Sequence, residues 1–562
     1  MTIRSLLTCA MLACLLISPR SGVAASARAD VRPWWEHAAI YEIYIRSFQD
    51  SNGDGIGDLN GITRRLDYLQ RLGVDAIWIT PFYPSPNKDF GYDVKDYVSI
   101  APEYGSMADF ARLVKEARRR RIRVLVDFVV NHSSDQHPWF KESIGSRHSA
   151  KRDWYIWRDG TPDGGPPNNW RSIFGGPAWT KDVTSGQWYY HIFLPEQPDL
   201  NWRNPAVQQA MFQVMKFWLD RGVAGFRLDA TPYLVENADF ADDPDIDHGQ
   251  PVGLKGYNSD HPETHAILRA MRKVVDSRSG GAILLGESAT ATIEQLAAEY
   301  GARGDEITLP MNFLYGDLRK LDPLVMQHQI DDAQTRLNGR PPVMFFSSHD
   351  HNRQWSQFGD GLHNDLIAKL TATMTLAQKG VALLYYGEEI GMHDASPQTL
   401  AASPLGPRRP VADRRDVART PMQWSGRSYG GFSDVRPWLD SDPNQTGYDV
   451  VSEVYQKGSI LEWYRDLLGL RRHNPVFRDG EFVQLAASDK AVVTFGRRLT
   501  DGRGAIVLLN CSDRSTDVVV SGWPGRWRVL HSLLSTHGGL LRRGHAFRLK
   551  PYQSLLVSVK SE

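Results

Sequence analysis

The chain has 562 residues, with 65 Lys and Arg balancing 65 Asp and Glu, and it is 41% hydrophobic and 23% charged. That length exceeds what one ordinary core sustains and predicts two or three domains. The composition is that of a globular protein, and the zero formal charge removes any electrostatic case for nucleic acid or an anionic membrane as partner.

At the N-terminus, Arg4 gives a positive start, and the apolar run Leu6 to Ile17 is too short to span a membrane. Ala25-Ser26-Ala27 and Ala27-Arg28-Ala29 are both candidate cleavage sites. Residues 1–29 therefore read as a signal peptide, and the expected destination is the periplasm or the exterior. Of the three cysteines, Cys9 and Cys14 fall in this segment, so Cys511 stands alone and the mature chain has no internal disulfide. No later run is apolar enough to cross a membrane.

From about residue 33, strand-like apolar runs alternate with amphipathic helical stretches. Strands are predicted at Ile40–Phe48, Asp75–Phe82, Arg123–Val130, Val223–Ala230, Ala282–Glu287, Ile307–Phe313, Val343–Ser348 and Val381–Tyr386. Helices are predicted at Met107–Arg120, Val207–Arg221, His265–Asp276, Leu321–Leu337, Asp365–Gln378 and Ile460–Arg472. Eight strands alternating with helices predict an α/β fold, a (β/α)8 TIM barrel, over 30–132 and 206–478. The stretch 133–205 is rich in Trp, Tyr, Gly, Pro and Asn, and is too long for a bare loop, so it predicts an inserted subdomain. After residue 479, short strands between turn residues predict a C-terminal antiparallel β-sandwich domain over 479–562.

Several predicted strands end on polar groups. Arg227 and Asp229 lie two apart and so share one face of their strand, where the arginine keeps the carboxylate ionised and oriented. The next strand ends on Glu287 and the seventh on His349 and Asp350, while the third ends on Asn131 and His132. In a barrel these ends converge. Three carboxylates in one pocket meet the needs of glycoside chemistry: a nucleophile, an acid/base, and a third group to hold sugar hydroxyls.

The segments Asp127–His132 (DFVVNH), Gly225–Ala230 (GFRLDA), Leu285–Ser288 (LGES) and Ser347–Asp350 (SSHD) resemble the four signature regions of the alpha-amylase superfamily, glycoside hydrolase family 13. Gln197-Pro198-Asp199-Leu200-Asn201 resembles the extra signature of its oligo-1,6-glucosidase and alpha-glucosidase branch. Gly53–Leu59, Phe90–Val94, Tyr385–Met392 and Arg414–Trp424 resemble that branch too. The resemblance implies a retaining double displacement with Asp229 as nucleophile, Glu287 as acid/base and Asp350 as transition-state stabiliser. It further implies that Arg227 orients Asp229 and that His132 and His349 bind sugar hydroxyls. By motif position, Asp93 and Arg415 close the non-reducing end and Gln197 lines the pocket. The implied activity is an exo-acting alpha-glucosidase on small oligosaccharides or disaccharides, as a monomer or homodimer. Ala230, after the nucleophile, stands where the branch pairs valine with alpha-1,6 bonds and smaller residues with alpha-1,4 bonds, and so points to maltose-type substrates. Gly225–Leu234 also resembles the maltose-to-trehalose isomerases, so glucosyl transfer is the alternative, beside oligo-1,6-glucosidase action. A non-catalytic accessory subunit is disfavoured because all three carboxylates remain. Ser348 stands where the family usually has asparagine, and Gly380–Leu383 lacks a usual proline.

The loop Asp50–Asp58 sets oxygen ligands at alternate positions around glycines, as in the first part of an EF-hand loop. Asp50, Asn52, Asp54 and Asp58 would supply side chains, and Ile56 its carbonyl, to a structural Ca²⁺, with Mg²⁺ as the alternative. No organic cofactor is expected. The aromatics Trp154, Tyr155, Trp157, Trp170, Phe174 and Trp179 of the insertion read either as sugar-stacking faces or as the subdomain's own core.

Overall fold

The computed structural model describes residues 33–244, 258–404, 414–442, 445–539, 542–543 and 545–562. The signal-peptide reading of 1–29 lies outside the described residues. Eight parallel strands form the central sheet: β1 (Ala39–Ile43), β2 (Ala76–Ile79), β3 (Arg123–Val129), β4 (Gly225–Asp229), β5 (Ile283–Gly286), β6 (Leu309–Pro310), β7 (Val343–Met344) and β8 (Val381–Tyr385). The strand order is β7-β8-β1-β2-β3-β4-β5-β6, and a parallel bridge between Met311 and Val343 joins the two edges into a barrel. Strands covered on both faces carry near-continuous apolar runs. Ile40, Trp78, Leu125, Leu285, Leu309, Phe345 and Leu383 fill the interior, and residues such as Tyr41, Ile77, Val126, Phe226 and Leu384 pack outward against the helices.

Local signals set the helices. Asp58 accepts from the Gly61 N–H to start Leu59–Leu72, a helix not among those predicted, and Gly73 at φ 103° ends it. Ser106 and Asp109 form a capping box on Met107–Arg119. Gly225 opens β4 at φ 145°, and a Cβ there would lie 2.2 Å from the Ile283 carbonyl oxygen. Only glycine lets β4 enter so close beside β5.

All eight predicted strands prove shorter, the second by half, at Ala76–Ile79. The first ends at Ile43, and Ile45–Phe48 is a helical turn. The sixth shrinks to Leu309–Pro310, because Pro310 offers no N–H to a ladder. The seventh keeps only Val343–Met344, after which Phe345 to His349 stays buried without regular pairing.

Between β3 and the helix Pro205–Leu219, the chain builds a three-stranded antiparallel sheet from Trp157–Asp159, Gln187–Tyr190 and Trp179–Lys181. Ile156, Trp170, Ala178, Trp179, Tyr190 and Ile192 form its small core. Beyond the helix Pro475–Asp479, a five-stranded and a four-stranded antiparallel sheet face each other across Ile506, Leu508, Val518, Phe547 and Val557. The outer face of the larger sheet, through Val493, Phe495 and Val507, joins the barrel's own core.

Candidate active site

The C-terminal ends of the strands surround a cavity of about 180 Å³ lined by Asp89, Tyr92, His132, Ile173, Phe174, Phe193, Gln197, Asp229, Ala230, Tyr233, Glu287, Ala289, Asp350 and Arg415. The three carboxylates expected at separate strand ends thus meet in one place.

Arg227 is fully buried and organises one wall. Its guanidinium donates to Asp229 at 2.5 Å and to Asp127 at 3.2 Å, and it pairs with Glu287 at 2.9 Å. The alternation of β4 sends Arg227 and Asp229 to the same face, as expected. Burial pushes the Asp229 carboxyl well above the usual range; Arg227 opposes the rise, and Glu287 and Asp127 reinforce it. Burial raises Asp127 as well, again against Arg227. One guanidinium therefore serves three carboxylates, two of which burial raises against it.

Glu287 is steered by backbone. Its Oε2 accepts from the Ala230 N–H at 2.8 Å, and its carbonyl accepts from the Thr231 hydroxyl at 2.8 Å. Ala230 reaches this position in the left-handed region, at φ 51°. A β-branched residue is strongly disfavoured there, so alanine suits the turn as well as the space.

The opposite wall has a different electrostatic character. Burial alone would raise Asp350, but His349, Arg415 and Arg419 together hold its carboxyl well below the usual range. Arg419 donates to it at 2.8 Å, Arg415 at 3.3 Å, and His349 Nε2 lies 3.1 Å away. Burial works against a charged His349, yet Asp350 and Glu42 outweigh it and push the imidazole up to about 9. Glu42, at the end of β1, accepts from His349 Nδ1 at 2.6 Å. Tyr92 spans the two walls: its hydroxyl donates to Asp127 at 3.0 Å and meets His349 Nε2 at 2.7 Å.

One end is closed by an ion pair, and here the sequence reading needs correction. Arg415 pairs with Asp89 at 2.8 Å, not with Asp93. Asp93 is turned into its own loop, where it accepts from Ser85 Oγ at 2.6 Å and from the Lys88 and Asp89 N–H groups. Asp93 therefore shapes the turn that presents Asp89. Gln197 bridges Asp89 at 3.2 Å and His132 Nε2 at 3.0 Å. Burial pulls His132 down to about 4, so its ring is neutral near pH 7.

Sequence reasoning thus placed Asp229, Glu287, Asp350, His132, Gln197 and Arg415 on the cavity, and Arg227 and His349 directly behind it. It missed Glu42, Asp89, Tyr92, Asp127, Tyr233 and Arg419. Glu42 left one signal, a lone charge inside an apolar strand, and Arg419 another, a second arginine four residues after Arg415. Ser348, the departure from the family pattern, bonds His351 Nδ1 at 2.7 Å and accepts from the Asp350 N–H at 3.1 Å. Of the insertion's aromatics, Tyr155, Trp157, Trp170 and Trp179 are buried and Trp154 packs against the core, so these are structural. Phe174 is 43% exposed and lines the cavity, with the Arg415 guanidinium 5.1 Å from its ring.

The loop after β1 lies between the helical turn Ile45–Phe48 and the helix Leu59–Leu72, where a preceding strand was expected. Asp50 accepts from the Asn52, Gly53 and Gly55 N–H groups and from Ser433 Oγ. Asp58 accepts from Ser51 and Gly61. Asn52 and Asp54 are exposed. Among the described residues, no three His, Cys, Asp or Glu side chains gather into a metal-holding group. The oxygens present are nevertheless hard donors of the kind Ca²⁺ takes. Asp50 and Asp58 are buried, repel each other, and have no ion-pair partner among the described residues.

Residues 42–480 match the model of the alpha amylase catalytic domain. A probable alpha-glucosidase of Rhizobium meliloti (strain 1021) is 40% identical over 476 residues, covering 81% of this chain and 86% of that one. An oligo-1,6-glucosidase of Halalkalibacterium halodurans is 36% identical over 568 residues, covering 94% and 99%. The crystal structure of the trehalulose synthase of Pseudomonas mesoacidophila MX-45 superposes with a TM-score of 0.85 at 33% identity, covering 94% of this chain and all of that one. With a carboxylate site at the strand ends of a closed parallel barrel and relatives matched along most of its length, this chain belongs to the alpha-amylase family of glycoside hydrolases, in its oligo-1,6-glucosidase and alpha-glucosidase branch.

Proposed function

We propose that this enzyme is a retaining, exo-acting alpha-glucosidase that releases glucose from the non-reducing ends of short alpha-1,4-linked glucosides such as maltose. The observation that carries the reading is the guanidinium of Arg227, buried behind the cavity and held between Asp229 and Glu287, with the Asp89–Arg415 ion pair closing one end of that cavity. The charge-assisted bond from Arg227 favours the ionised form of Asp229. Asp229 then attacks the anomeric carbon while Glu287 gives its proton to the glycosidic oxygen, and the leaving sugar departs. The deprotonated Glu287 next takes a proton from water, which displaces Asp229 and regenerates both groups. Asp350 stays ionised throughout, so it stabilises positive charge on the ring and accepts bonds from sugar hydroxyls. Neutral His132 and Gln197 offer further polar contacts, and the Asp89–Arg415 pair blocks extension past the first glucose.

Rates on maltose, isomaltose, sucrose, trehalose and maltotriose, with products followed by NMR, test this. The expected result is fastest release of free glucose from maltose or maltotriose, appearing first as the alpha anomer. First appearance of the beta anomer would overturn retention, and a preference for isomaltose would overturn the bond assignment. The likeness to a trehalulose synthase supports a second reading, glucosyl transfer from the same covalent intermediate; products dominated by new disaccharides would establish it.

We also propose export of the mature chain and a structural Ca²⁺ at Asp50, Asn52, Asp54, Asp58 and the Ile56 carbonyl, where it would neutralise the buried Asp50 and Asp58. Elemental analysis of the purified protein and thermal melts with EDTA or added Ca²⁺ check the metal. N-terminal sequencing after secretion checks the export.

A further inference from the structure

The polar groups lining the cavity divide into two sets. Asp89, Gln197, His132, Tyr92, Asp350 and Arg415 are tied to one another or to groups behind them by hydrogen bonds, and they surround the closed end. The rest of the lining, besides Asp229, is Ala230, Ala289, Ile173, Phe174, Phe193, Glu287 and Tyr233. Among these, Glu287 and Tyr233 are the polar side chains.

Tyr233 is held firmly. It ends the short 3-10 turn Thr231–Tyr233 that follows Ala230. Its carbonyl accepts from Asn131 Nδ2 at 2.7 Å, and its ring stands edge-on to Phe193 at 6.1 Å. Pro232 before it accepts from the Asp260 N–H at 2.8 Å. The phenol itself takes no hydrogen bond from the protein among the described residues. Burial pushes its ionisation upward, and the charge of Glu287 adds to the effect, so the group remains an O–H donor. A fixed donor that faces the cavity and has no protein partner among the described residues is free to meet a ligand's acceptor.

The leaving oxygen lies where Glu287 can protonate it, and the turn Thr231–Tyr233, tied to Glu287 through Ala230 and Thr231, brings Tyr233 to the cavity near that position, where the leaving sugar sits. Building on the glucosidase reading, we propose that Tyr233 is the residue that recognises the leaving sugar, and the incoming acceptor sugar, by donating its phenol O–H to a hydroxyl of that ring. A sugar in this place is gripped by the bond, whereas water or an aryl leaving group is not. Tyr233 thereby selects carbohydrate leaving groups and sets the share of intermediates passed to a second sugar.

The test compares Tyr233→Phe with wild type on maltose and on p-nitrophenyl alpha-glucoside, whose leaving group carries no sugar hydroxyl. The expected result is about tenfold more loss of kcat/KM on maltose than on the aryl glucoside, the scale of one lost hydrogen bond. The ratio of oligosaccharide products to free glucose at high maltose should also fall several-fold. Equal losses on both substrates would mean the hydroxyl is merely structural, and no change on either would mean it contacts nothing; each overturns the proposal while leaving the glucosidase reading intact. Wild-type enzyme inactive on both substrates would remove the glucosidase reading and this proposal together.

Discussion

Two buried clusters of carboxylates lie at the ends of the barrel strands, and they are built for opposite ends. Around Arg227, three carboxylates compete for one cation beside a cavity. Beyond β8, Glu388 and Glu389 are also buried, but they are capped by hydroxyl donors: Glu389 Oε1 accepts from Tyr41 at 2.7 Å and from Tyr68 at 2.6 Å, and Tyr464 reaches Glu388 at 3.5 Å. Burial raises Glu389 and pushes Glu388 up to about 8. Phenol donors satisfy a carboxyl locally and offset part of the rise that burial imposes, which suits packing. A shared guanidinium beside open space leaves charge free to be redistributed, which suits chemistry. Burial and an odd pKa alone do not separate the two; the nature of the partner and the access to a ligand do.

The strongest way to break this contrast is to neutralise a member of each cluster. Asp229→Asn should lower kcat on p-nitrophenyl alpha-glucoside by about 10⁴-fold or more while leaving the melting temperature within a few degrees. A variant that keeps a tenth of the activity would show that Asp229 is not the nucleophile. Glu389→Ala should do the reverse. It strands the Tyr41 and Tyr68 hydroxyls in the core at about 1–3 kcal/mol each, so stability should fall by about 2–5 kcal/mol in urea titrations. The kcat per active site of the folded fraction should stay within about threefold.

The sequence made the first cluster legible and the second invisible. Strand alternation and position at strand ends were enough to pair Arg227 with Asp229 and to bring Glu287 and Asp350 to the same face. Glu388 and Glu389 have no such pattern, since their partners come from Tyr41, Tyr68 and Tyr464, far away in the chain. The same limit explains Asp93. Two aspartates four residues apart in one turn are equivalent in sequence, and only the folded loop decides which one spends its oxygens on local N–H groups. Strand lengths failed for a related reason: β6 and β7 are held by their neighbours and the barrel's closure, with little propensity of their own.

The histidine behind Asp350 gives the contrast a pH signature. His349 moves from 6.5 to about 9 because Asp350 and Glu42 overcome its burial. A cation stabilised by folding contributes fully below pH 6.5, and the contribution is lost as pH rises through about 9. The whole effect is on the order of 3 kcal/mol at most. Wild-type stability should therefore decline between pH 6.5 and 9, and His349→Asn should flatten that slope. An unchanged slope in the variant would show that the decline belongs to another group, Glu388 among them.

The smallest expected effect sharpens the boundary between catalysis and shape. If Asp89 with Arg415 closes the pocket, removing the carboxylate should loosen substrate binding without disarming the chemistry, because Asp350 keeps His349 and Arg419 as charge partners. Asp89→Ala should raise KM for maltose by about tenfold, the scale of one charge-assisted contact, with a smaller loss in kcat. It should also narrow the preference for maltose over longer maltooligosaccharides, since the wall past the first glucose loses half its ion pair. Asp93→Ala acts on the same turn by another route. It frees the Lys88 and Asp89 N–H groups and Ser85 from their shared acceptor, so its main loss should be stability of the loop, read as a lower melting temperature. If Asp93→Ala instead reproduced the KM effect with no loss of stability, the closing carboxylate would be Asp93 after all, and the ion pair at 2.8 Å between Arg415 and Asp89 would be a contact without a role in binding.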